Sequence, residues 1–115
     1  MRPLVLIIEP RREVADALQD VLLSARFNVR VVSHLERLTD LVDPPAAIVV
    51  RIAFEGTEPA HAAIARLPAI HPPIVAIAWE PAEIEEAERL KCDVVLHAPR
   101  DVSRLCEALT RVLQV

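Results

Sequence analysis

"AAIVVRIAFEG", residues 46–56, is the stretch whose reading decides the fold. Residues 47–50 are a continuous apolar run, rich in β-branched side chains and too short for a helix with one buried face. A strand wet on one side alternates apolar and polar residues. An unbroken run marks a strand covered on both faces, as in a parallel sheet flanked by helices. The run ends in Arg51, with a loop after it. Open α/β sheets build their sites outside the carboxyl ends of central strands, so a guanidinium placed there needs a partner.

Four more strand-like runs lie at residues 4–8, 29–32, 74–78 and 94–96, most of them continuous and the second interrupted by Arg30. Segments of helical period separate them. Val14, Ala17, Leu18, Val21, Leu22 and Ala25 form one unbroken apolar face, and Val102, Leu105, Cys106, Leu109, Val112 and Leu113 form another. Shorter patterns predict three middle helices. Leu35, Leu38, Leu41 and Val42 give the second, stopped by Pro44 and Pro45, and Ala60, Ala63, Ile64 and Leu67 give the third, stopped by Pro68. Ile84, Ala87 and Leu90 give the fourth, opened by Pro81, a residue suited to a first helical turn. Strand and helix thus alternate five times. This predicts an α/β fold, a doubly wound five-stranded parallel sheet with five helices, flavodoxin-like, in strand order 2-1-3-4-5. Strand order then reverses between strands 1 and 3, where Ile8-Glu9-Pro10 and Val50-Arg51 end.

The chain has 115 residues, of which 53% are apolar, enough for one core, and no linker divides it; residues 1–115 read as a single domain. A net charge of −4 argues against general nucleic-acid binding. The single glycine, Gly56, excludes Gly-rich phosphate loops. Cys92 and Cys106 have no metal-ligand spacing and read as reduced thiols, which with the lack of any secretory segment predicts a cytoplasmic protein. No apolar run approaches the ~20 residues of a membrane span. His34, His61, His71 and His97 show no paired spacing on one helix, and Ser24, Ser33 and Ser103 sit in no nucleophile elbow. Metal, cofactor and enzymatic activity are therefore not expected.

With "LVLIIEP" at its start, "PPAAIVV" and "PPIVAIAW" as third and fourth strands and "VVLHAPRD" before the last helix, the chain resembles the receiver domains of bacterial response regulators over its whole length. The resemblance implies a phosphoryl-accepting Asp at the end of strand 3 and two acids after strand 1 that help hold Mg²⁺. It also implies a Thr or Ser ending strand 4 and a Lys before the Pro that follows strand 5. At these positions the chain has Arg51 for the acceptor, Glu9 and Pro10 for the two acids, Ala78 for the hydroxyl and Ala98 for the lysine; Val95 takes the usual aromatic place on strand 5. Only Glu9 and Pro99 match. No shift of register rescues the acceptor, because no aspartate occurs between Pro44 and Cys92. The pattern is that of a pseudo-receiver whose phosphoacceptor pocket is degenerate. Glu9 and Arg51, ending neighbouring strands, are expected to form an ion pair that takes over the metal's charge-neutralising role; the alternative is that Arg51 extends to solvent.

Arg11, Arg12 and Arg100 collect near the same edge, either as solvated side chains or as contacts for a small anion. "WEPAEIEEAER", residues 79–89, carries five glutamates, and Glu83 and Glu86 are expected on a solvated helix face or a partner contact. Trp79 either covers the vacated pocket or meets a partner. In the receiver family the face made by helix 4, strand 5 and helix 5 is a common contact and homodimer surface. The expected function is a phosphorylation-independent receiver-like module of two-component-type signalling, acting through a protein partner. Two alternatives stand beside it. One is a small-anion or metabolite sensor at the arginine-lined edge. The other is the receiver half of a transcription regulator, touching nucleic acid only through an output domain beyond Val115.

Overall fold

The computed structural model describes residues 2–32, 45–51 and 71–113. In chain order these form β1 (Leu4–Ile8), α1 (Arg12–Ser24), β2 (Asn28–Val32), β3 (Ala47–Arg51), β4 (Ile74–Ala78), α2 (Pro81–Arg89) and β5 (Val94–His97). A 3₁₀ turn (Val102–Arg104) then leads into α3 (Leu105–Leu113). The five strands make one parallel sheet in the order β2-β1-β3-β4-β5, the expected reversal lying between β1 and β3. The second and third helices read from the sequence fall at 35–42 and 60–67, outside the described residues; α2 and α3 are the fourth and fifth.

The pleat sorts each strand's apolar residues between two layers. Val5, Ile7, Val49, Val75 and Ile77 face Leu18 and Leu22 of α1 and Leu105 and Leu109 of α3. Leu6, Ile8, Ile48, Val50, Ile74 and Ala76 face the other side, against Ala87 of α2. Both faces of β3 and β4 are buried, which is why those strands read as unbroken apolar runs.

Helix α1 departs from the expected face. Ala15, Leu18 and Leu22 are buried, whereas Ala17, Val21 and Ala25 are exposed, Val21 to 48%. The 3.6-residue period marks an apolar stripe wider than the part that the sheet covers, and its uncovered margin faces a cavity described below. α1 and α2 both end in a reversed turn with a residue at positive φ, Arg26 (69°) and Lys91 (59°). There Phe27 N–H donates to Leu22 O, and Cys92 N–H to Ala87 O.

Candidate functional site

Strand register places the central residues of the site. β1 and β3 pair as Ile8↔Val50, so Glu9 and Arg51 come next, side by side. The period of two puts both on the α1 side of the sheet, and Trp79, two residues beyond Ile77, shares that side. Glu9 is 3% exposed. Its Oε1 accepts the Arg11 N–H at 3.0 Å, so a carboxylate stands at the start of α1, where the helix dipole favours it. Arg51 Nη1 lies 3.8 Å from the same oxygen, a close charge contact longer than a hydrogen bond. The guanidinium carbon sits 5.7 Å from the centre of the Trp79 ring, within cation–π range. Arg51 Nε is buried and has no hydrogen-bond partner among the described residues.

These groups border a cavity of about 460 Å³. Val14, Ala17, Leu18 and Val21 of α1 form one wall, Pro99 and Val102 form the other, and Ile77, Arg51 and Glu9 lie between. Trp79, 44% exposed, stands at its margin and also faces solvent.

The remaining predicted residues fall elsewhere or serve the backbone. Pro10, Arg11, Arg12 and Arg100 are exposed and none of them lines the cavity. Arg12 makes a 4.0 Å contact with Asp16, and Arg100 one of 3.4 Å with Asp101. Ala78 and Ala98 are buried, Ala98 N–H donating to Ala78 O at 2.8 Å. Their methyl side chains offer no donor or charge.

Glu83, expected on the outer face of its helix, is instead 7% exposed, and its Oε1 accepts the Trp79 N–H at 3.1 Å. The physical reason is capping: a glutamate in the first turn reaches back to a backbone donor that the helix leaves free. A Pro-x-Glu opening was a signal for this in the sequence. Glu86 is half-buried and pairs with Arg89. Asp101 is a contact the sequence reading missed: it accepts the His97 N–H at 3.2 Å, which holds its carboxyl below the usual range, helped by Arg100. Burial pushes the Cys92 thiol up to about 11 and raises that of Cys106, so neither is poised as a nucleophile.

Mg²⁺ asks for several oxygen ligands around an octahedron. Among the described residues the cavity offers two carboxylates, Glu13 at its margin and Glu9, which is already engaged by a backbone donor and a guanidinium. A cation beside that guanidinium would meet repulsion of several kcal/mol or about that order. Among the described residues, no group of three or more His, Cys, Asp or Glu side chains is placed to hold a metal ion. The described residues do not fit the divalent cation that receivers use.

No protein-family model matches the sequence, and no curated protein does. Solved structures do match. A response regulator receiver protein from Burkholderia phymatum superposes with a TM-score of 0.83 at 16% identity, over 99% of this chain and 97% of that one. The chemotaxis response regulator CheY4 of Vibrio cholerae gives 0.79 at 15%, over 98% and 100%. A CheY-like receiver domain from Methylobacillus flagellatus gives 0.75 at 20%, over 97% and 99%. At such identities the likeness is one of fold. The chain has the receiver-type, flavodoxin-like α/β fold, and its structural neighbours are response regulator receiver domains. Among the described residues no helix is long and apolar enough to cross a membrane.

Proposed function

We propose that the chain is a receiver-like signalling module that operates without phosphoryl transfer and acts through contact with a protein partner in the cytoplasm. The observation that carries this reading is Arg51 at the end of β3, paired with Glu9 where a receiver would set an acceptor carboxylate beside a metal-binding acid. A guanidinium is no nucleophile, and Ala78 and Ala98 supply neither the hydroxyl nor the lysine that would hold a transferring phosphoryl group. In this reading the charge pair fixes one state of the switch region. Partner contact then falls to Trp79, whose ring is half-exposed at the same edge, and to the outer face of α2.

Intact mass after incubation with Mg²⁺ and acetyl phosphate tests it. The expected result is an unchanged mass. A labile phosphoryl adduct would refute the proposal.

A further inference from the structure

The cavity between α1 and the Pro99–Val102 turn plays no part in that reading, and its chemistry is specific. Its volume of about 460 Å³ lies within the range of small-molecule pockets, roughly 300–1,000 Å³. Among the described residues, the lining is apolar apart from Glu9, Glu13, Arg51 and the indole N–H of Trp79. Val21, a large apolar side chain left 48% exposed on α1, and Trp79, 44% exposed, both border it. From these features we infer a binding site for an uncharged, mostly apolar small molecule that carries an acceptor oxygen such as a carbonyl or amide.

Charge balance selects the neutral ligand. Glu9 already compensates Arg51, and Glu13 adds a second carboxylate at the margin. A bound anion would leave uncompensated negative charge in an apolar space, and a cation would sit against the guanidinium. The acceptor follows from Arg51 itself. Arg51 lines the cavity with its side chain 12% exposed, and its Nη1 lies 3.8 Å from Glu9, longer than a hydrogen bond. A guanidinium has five N–H donors, more than the single close charge contact with Glu9 described for Arg51 can occupy, and an acceptor oxygen in the cavity would meet its exposed part. The apolar body would lie along Val14, Ala17 and Val21 and against the Trp79 ring.

Trp79 is the sole tryptophan, so the protein's intrinsic emission reports on this site alone. Nile red, neutral and bearing a carbonyl, is the probe; anilinonaphthalene sulfonate, of similar size but anionic, is the contrast. Saturable enhancement of Nile red with matching quenching of Trp79 is expected, the sulfonate binding about tenfold or more weakly. Ala17→Phe, at an exposed helix position, fills the groove and should weaken Nile red about tenfold or more with helicity by circular dichroism unchanged. Arg51→Met should weaken it about three- to tenfold through the lost hydrogen bond. Absence of Trp79 quenching, wild-type affinity in Ala17→Phe, or equal binding of the two dyes would each overturn the inference. So would Trp79 emission that changes with protein concentration alone, which would mean that a second copy covers the groove. The phosphorylation assay is independent of all these outcomes, so either proposal can fail without the other.

Discussion

At the amino end of the sheet the entering segments are tied down by short bonds. Ala46 N–H donates to Leu4 O at 2.7 Å, Ile48 N–H to Pro73 O at 2.9 Å and Asp93 N–H to Ile74 O at 2.9 Å. Ile74 N–H in turn donates to the Asp93 carboxylate at 2.7 Å. At the carboxyl end the strands run out into two alanines, a buried carboxylate and a guanidinium whose Nε meets no acceptor among the described residues. Backbone hydrogen bonds tie both ends, with Glu9 N–H to Val32 O at 3.0 Å and Ala98 N–H to Ala78 O at 2.8 Å at the carboxyl one, but the amino end leaves little else to exchange with a ligand. The other keeps a charge pair of loose geometry next to an apolar cavity. The contrast matches the general placement of sites in open α/β sheets.

The largest test of this contrast removes the cation at the carboxyl end. Arg51→Met keeps the apolar stem and leaves Glu9 buried with the Arg11 N–H as its remaining partner, which should lower stability by about 2–4 kcal/mol in urea unfolding. Glu9→Gln should cost less, about 1 kcal/mol, because Arg51 is 12% exposed and its guanidinium can turn toward water. If the pair is coupled, the double variant loses less than the sum of the two by at least ~0.5 kcal/mol. Additive losses would reduce the 3.8 Å approach to mere proximity. At the amino end, Asp93→Ala takes the acceptor from the N–H of Ile74, a residue only 1% exposed. A loss of about 1.5–3 kcal/mol is expected there with the Trp79 emission unchanged, since the tryptophan stands at the opposite edge. A shift in that emission would mean that the two ends are not independent.

Strand positions were legible because burial on both faces leaves a continuous apolar run in β3 and β4, while β2, at the sheet edge and interrupted by Arg30, was legible from its valines. The runs at 4–8 and 74–78 coincide with β1 and β4, and those at 29–32, 47–50 and 94–96 fall one residue short of β2, β3 and β5. The neighbourhood of Glu9 and Arg51 was legible too, since strand order and register alone bring them together. The cavity was not. It depends on how far the Pro99–Val102 turn stands from α1, a distance between elements that no local period encodes. The same gap explains why Ala17 and Val21, in phase with Leu18, are left uncovered. Glu83 escaped for a different reason: its place in a glutamate-rich run suggested solvent, while its position in the first turn of α2 decided a capping role.

The smallest expected effect lies in the two turns that close α1 and α2 near the amino end. Arg26 and Lys91 hold φ of 69° and 59°, where the Cβ of an L-residue crowds the carbonyl oxygen at about 1–2 kcal/mol each. Neither side chain is buried, so replacement by glycine removes little packing. Glycine relieves the crowding but adds freedom to the unfolded chain worth about 0.5–1 kcal/mol, which offsets part of the gain. Arg26→Gly and Lys91→Gly should therefore each stabilise the protein by about 0.5–1 kcal/mol, raising Tm by roughly 2–6 °C. The turns lie far apart along the chain, at the ends of different helices on opposite faces of the sheet, so the two gains should add. A fall in Tm would show that these side chains contribute more than their exposure implies, and the closure of the amino end would then rest on them as well as on the backbone.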